Sequence, residues 1–180
     1  MHAQDIIQFW FHELSDKQRF AKDLALDAKI RQRFGSTLQA AVLGELFGWR
    51  LTPQGRLAEI VVLDQFSRNI YRDSREAFAQ DPQALALAQE LVASGQDQNL
   101  SAEQRSFAYM PYMHSESLLV HEEAVRLFAQ PGMEASLVFE MRHKAIIERF
   151  GRYPHRNAVL GRPSTAAEQA FLAEPDSSFY

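Results

Sequence analysis

The strongest constraint on what this chain can fold into is its punctuation. Helix-start and helix-stop signals recur along it, and the apolar/polar alternation of a half-buried strand is almost nowhere to be found. Between the signals Ala, Leu, Glu, Gln and Arg dominate, residues that lose little on entering a helix. Asp5 reads as the cap of a first short helix through Phe11, with Ile6, Phe9 and Trp10 as its apolar stripe. A second helix spans residues 24–43, with Gly44 near its end. Thr52-Pro53 opens a third that reaches about Phe66. Asp81-Pro82 repeats the device for a fourth, which runs to Ser94 and stops at Gly95. Ser101 and Gln104 form a capping box for a fifth, which Pro111 interrupts. A sixth resumes near Ser115 and stops before Pro131-Gly132, and a seventh covers residues 133–150. Thr165 with Glu168 caps a short last one.

Connections of a few residues favour antiparallel neighbours, so the expected class is all-α: paired antiparallel helices in a bundle or a short superhelix. No clean repeat at a fixed period separates the two. A chain of 180 residues, 46% hydrophobic and without a long polar linker, reads as a single all-helical domain over 1–180. Cysteine is absent, which excludes disulfides, a thiolate metal site and a cysteine nucleophile, and suits a cytoplasmic location. No signal peptide is read at the start, and no apolar run is long enough to cross a bilayer. With a net charge of -4, nucleic acid is a disfavoured partner.

Several polar residues break the apolar pattern. In LAEIVVLDQFSRNIYR, Asp64 continues the stripe of Leu57, Ile60 and Val61 at helical spacing. A carboxylate there is at least partly buried and needs a partner, and Arg68 stands four residues on in the favourable order. Asn69 and Arg72 follow at the helix end, where cations suit the dipole. Either Asp64, Arg68 and Asn69 tie this end to a neighbour, or Arg68 and Arg72 project into a cleft. In AYMPYMHSESLLVHEE, Pro111 can turn His114, Ser115 and Glu116 out of the regular helix. Ser115 is equally a cap, and His114 equally a hydrogen-bonded packing residue. His121 lies seven residues beyond His114, but the tight pair of an HExxH helix is missing, so no metal and no cofactor are expected.

The sharpest local feature is residues 142–162, RHKAIIERFGRYPHRNAVLGR, which hold six of the 19 Lys and Arg but only one acid, Glu148. Gly151 lets the chain leave the helix, and Pro154 stiffens the loop before His155, Arg156 and Asn157. His143 shares a face with Ile147 and Phe150 and reads as half-buried. Guanidinium groups suit bidentate binding of a carboxylate or phosphate, and His and Asn add directional bonds. Either distant acids such as Asp64 and Glu116 fold onto Arg149, Arg152 and Arg156, or an anion does.

The passages LAEIVVLDQFSRNIYR, REAFAQDPQALALA, RSFAYMPYMHSES and RHKAIIERFGRYPHRNAVLGRPSTAAEQAFL resemble a bacterial family, the domain-of-unknown-function family 924. The likeness runs from WF near the start to the terminal SSFY. The family's usual pattern has proline where Ser67 stands and phenylalanine where Tyr153 stands; neither change removes a candidate polar ligand. The resemblance implies a tetratricopeptide-like stack of antiparallel helices and brings no reaction, substrate or cofactor with it. It also picks out one polar centre, from Asp64, Gln65, Arg68, Asn69 and Arg72 through His114, Ser115, Glu116 and His143 to Arg149, Arg152, His155, Arg156, Asn157 and Arg162.

The leading expectation is a protein that binds an anionic small molecule or an acidic peptide. Arg68, Asn69, Arg72, Arg149, Arg152, His155, Arg156 and Asn157 would contact the ligand, with Tyr71 and Tyr153 as apolar walls. Asp64, Gln65, Ser115, His143 and Arg162 would form the structural network around them. One alternative is an enzyme with His155 or His114 as acid/base and Glu116 or Asp64 as the orienting carboxylate. Another is an interaction scaffold whose polar centre only stiffens the fold.

Overall fold

The computed structural model describes residues 1–175 and 177. Of the terminal SSFY, only Ser177 is among them. The fold is all-α, with no strand among the described residues.

In chain order the helices are α1 Ala3–Gln8, α2 Asp16–Phe20, α3 Leu24–Val42, α4 Pro53–Val61, α5 Ser67–Ile70, α6 Asp81–Ala93, α7 Ala102–Met113, α8 Leu118–Phe128, α9 Glu134–Phe150, α10 Asn157–Leu160 and α11 Ala166–Leu172. Wider π-helical turns extend α1 over Phe9–Glu13 and join α4 to α5 over Val62–Phe66. α4 is the centre of the assembly, packed on α1, α6 and α7; α7 in turn meets α8, and α8 meets α9.

At the heart of the core is an aromatic cluster where α3 meets the two π turns. Phe9, Trp10, Phe34 and Phe66 are fully buried. Phe66 stacks on Phe34 at 5.0 Å between centroids and stands edge-on to Trp10 at 5.6 Å. Both π turns contribute to this cluster, Phe9 and Trp10 from one and Phe66 from the other. A π turn widens the helix locally and re-aims its side chains, and Asp64 lies in the second.

Most boundaries follow their local chemistry. Thr52 Oγ1 accepts from the Gly55 N–H at 3.1 Å, with Pro53 at the first helical position. The Ser101–Gln104 and Thr165–Glu168 capping boxes are both formed. Gly44, Gly95 and Gly151 take positive φ where α3, α6 and α9 end, a conformation that costs other residues strain.

Four expectations are corrected. Asp5 is not the N-cap of α1: the helix starts earlier, at Ala3, and the Asp5 carboxylate caps it by accepting the His2 N–H at 2.7 Å. Asp81 does not cap α6, because its carboxylate is taken by arginines from elsewhere in the fold. Pro111 does not interrupt α7, which continues to Met113, since a proline so near the end removes one intrahelical bond in a turn already buried by its neighbours. α8 begins at Leu118 rather than near Ser115, whose hydroxyl instead accepts from the Ser117 N–H. The short helix α2, opened by a Ser15–Gln18 capping box, was not anticipated.

Candidate functional site

Four parts of the chain border a cleft of about 450 Å³: the turn from α2 to α3, the α4–α5 end, the end of α7 and the first half of α9. Such a volume suits a small molecule. Cations, imidazoles and apolar side chains face it, and no carboxylate lines it among the described residues.

The carboxylates sit one layer behind. Asp64 is 1% exposed and accepts from His114 Nδ1 at 2.7 Å and from Gln65 Nε2 at 2.5 Å, with Arg68 Nη1 3.1 Å away. Burial alone would raise its pKa, but the Arg68 and His114 neighbours together hold its carboxyl below the usual carboxylate range. Asp27, buried in α3, accepts from Arg72 Nε at 2.6 Å and Nη2 at 2.9 Å, and from Asn69 Nδ2 at 2.8 Å. Asp81 accepts from Arg68 Nη1 at 2.9 Å and Nη2 at 3.0 Å, and from Arg156 Nη1 at 3.2 Å.

Two imidazoles face the cleft with their rings 6.4 Å apart. Burial, followed by the Arg68 charge, lowers the His114 pKa, so the ring is neutral at pH 7 and donates Nδ1–H to the ionised Asp64. His143 donates Nδ1–H to the Phe139 carbonyl at 2.8 Å, and burial pushes its pKa down to about 2. Asp64 therefore sets the tautomer of one ring and a helix carbonyl that of the other.

The motifs expected to share one hollow meet, but not inside it. Asp81 is their junction: it bridges Arg68 of the DQFSRN segment to Arg156 of the GRYPHRN turn. Arg156 is 5% exposed, donates Nη2 to the His114 carbonyl at 3.0 Å, and lies between the Phe78 and Tyr153 rings at 4.6 and 4.5 Å. Arg152 chelates Glu168 at 2.6 and 2.9 Å, and with Arg149 borders a separate, open groove against α11. Asn157 is buried and bonded to Ser164 and Arg162. His155 packs beside Tyr153, and burial lowers its pKa to about 4. None of these five borders the cleft.

Glu116, a candidate orienting carboxylate, is chelated by Arg162 at 2.6 and 2.9 Å and accepts the Tyr153 N–H at 2.8 Å. Among the described residues no hydrogen bond joins it to a histidine, although its charge reaches His155. His121 is sealed in the core between Glu140 at 2.7 Å and the Ser115 carbonyl at 2.9 Å. No three His, Cys, Asp or Glu side chains among the described residues converge to hold a metal ion. Tyr71 and Tyr153 do not border the cleft either; its apolar walls are Phe20, Met110, Met113 and Phe139.

Sequence reasoning missed Asp27, Asp81 and the cleft residues Arg19, Lys22 and Ser136. Asp27 carried a readable signal, because it continues the Ile30–Phe34 stripe of α3 at helical spacing, as Asp64 continues the stripe of α4 into the π turn. Lys22 and Ser136 carried none: each is an ordinary surface type brought to the cleft by tertiary packing.

A family model described as "Bacterial protein of unknown function (DUF924)" matches residues 6–176. The structure of a protein of unknown function, ATU0120 from Agrobacterium tumefaciens, is 37% identical with a TM-score of 0.90, over 95% of this chain and 96% of that one. No curated protein matches.

Proposed function

The chain belongs to the bacterial DUF924 family, and on that premise we propose that it is a single helical domain that binds a small organic anion in the cleft between the α2–α3 turn and α9. One observation carries this reading: cations form part of the wall while, among the described residues, the carboxylates that pair with them stand outside it. Low-dielectric walls strengthen the attraction of such a layer for a negative group. Arg72 and Lys22 contribute charge, and Asn69 and Gln65 hold the second layer in register through Asp27 and Asp64. The test is a thermal-shift titration against organic anions and their neutral analogues. Stabilisation by anions alone, lost in Met113→Trp where the indole fills the cleft, is the expected result. Equal response to the neutral analogues would defeat the proposal.

A second reading has its own support, the 2.7 Å bond from His114 Nδ1 to Asp64. A neutral imidazole held in one tautomer by an ionised carboxylate beside a cleft is the arrangement of a general base. On this reading bound ligands lose a proton to His114 Nε2. Nitrogen-15 NMR of the His114 ring tests it: a neutral Nδ1–H tautomer is expected at pH 7, inverted in Asp64→Asn, whose amide can donate to Nδ1. A ring protonated at pH 7 would rule the base out.

A further inference from the structure

We infer that the cleft takes a molecule with a single carboxylate on an aromatic or aliphatic body. This rests on the anion-binding reading above and narrows it by charge balance and by the nature of the walls.

The cations on the wall differ in what already holds them. Arg19 donates to the Trp10 carbonyl, to Glu103 and to Asp16, with its side chain 3% exposed. Arg68 and Arg72 each chelate a carboxylate through two nitrogens. The Arg68 and Arg72 pairs are buried and costly to break, because the partner is left charged and dry. The Arg19 carboxylates are 84% and 52% exposed, but its buried guanidinium is also fixed by the Trp10 carbonyl. Lys22 is different. Among the described residues its ammonium bonds Asp73 alone, at 3.2 Å, and the two side chains are 53% and 77% exposed. An exposed pair of this kind is worth little, and an ammonium has three donors. An incoming carboxylate can replace Asp73 on Lys22 Nζ at small cost, while Asp73 returns to water.

The wall therefore offers one exchangeable positive charge. The arginines add no second one. Four cations line the cleft, Arg19, Lys22, Arg68 and Arg72. Among the described residues six carboxylates bond to them directly: Asp16, Glu103, Asp73, Asp64, Asp81 and Asp27. The carboxylates outnumber the cations, so the arginines have no spare charge for a second negative group. A dianion such as a phosphate ester would find Lys22 as its one exchangeable partner.

The rest of the cleft asks for an apolar body. Phe20 and Phe139 flank it, 64% and 50% exposed, so each has ring surface to cover. Met110 and Met113 are buried against it, and unbranched thioethers adapt to varied shapes. An aromatic or aliphatic group between the two rings would remove this surface from water.

Titration calorimetry on the full chain with phenylacetate, acetate, phenylethanol and phenyl phosphate tests the inference. Phenylacetate is expected to bind about tenfold or more tightly than acetate, from the apolar area its ring covers, and more tightly than the other two. Lys22→Gln should weaken phenylacetate about tenfold and leave phenylethanol unchanged. Phe139→Ser should weaken phenylacetate and leave acetate unchanged. Both side chains are half-exposed or more, so the variants fold. Phenyl phosphate binding more tightly than phenylacetate, or Lys22→Gln binding phenylacetate normally, would overturn the single-carboxylate inference and leave the anion site standing. Phenylethanol matching phenylacetate, or no probe binding at all, would overturn the anion reading itself.

Discussion

Asp64 and the histidines around it decide how the cleft responds to pH. Burial lowers the pKa of His143 to about 2 and of His155 to about 4, and holds His114 below its ordinary value. The unfolded chain protonates these rings at about pH 6.5. From there down to about pH 4 the unfolded chain binds more protons than the folded one, so stability falls as pH drops. Each ring contributes up to about 1.4 kcal/mol per pH unit. Asp64 and Glu116, both held below the usual carboxylate range, contribute stability above about pH 4 that is lost under further acidification. Urea unfolding from pH 7 to pH 4 should show this decline, and His143→Gln should flatten it; a profile independent of pH would contradict the buried neutral rings. Asp64→Asn should cost about 3–5 kcal/mol, since Arg68 and His114 lose a buried anion. Wild-type stability in that variant would mean that Asp64 is not the keystone of the pair.

Among the elements, the π turn Val62–Phe66 couples core to cleft. It sends Phe66 into the aromatic cluster while Asp64 points to His114 and Arg68. Phe66→Ala should therefore cost about 3–5 kcal/mol in chemical denaturation. It should also disturb the His114 ring signals, although Phe66 does not border the cleft. A purely local loss, with those signals unmoved, would show that core and cleft are independent. The helix termini were the most legible elements, because a cap depends on residues three apart and needs no distant partner. The exceptions are informative. Asp81 sits where a cap belongs, yet its carboxylate serves Arg68 and Arg156. Pro111 carries a stop signal that tertiary burial of α7 overrides.

At the scale of the molecule, the last segment is clipped onto the rest by ion pairs. Arg162 chelates Glu116 and Arg156 reaches Asp81, while Arg152 chelates Glu168 within the segment itself. Arg162→Gln should cost about 1–3 kcal/mol by leaving Glu116 underbonded. Amide exchange should speed up over residues 152–172 and stay slow in α4 and α7. Uniform acceleration would mean that the clip is part of the global fold rather than a local closure. None of the described helices is long and apolar enough to cross a membrane. The all-α class and most helix limits were decided locally, by periodicity and caps, and so could be read from the chain alone. The cationic run at 142–162 was equally visible, but its partners were not. Which acid meets which arginine depends on how helices far apart in sequence are laid together, as Asp27 with Arg72 and Asp81 with Arg156. Packing moved most of that run onto structural carboxylates and left Arg68, Asn69 and Arg72 at the cleft beside His114 and His143. Charge at long range has no sequence period, and only the folded arrangement fixes it.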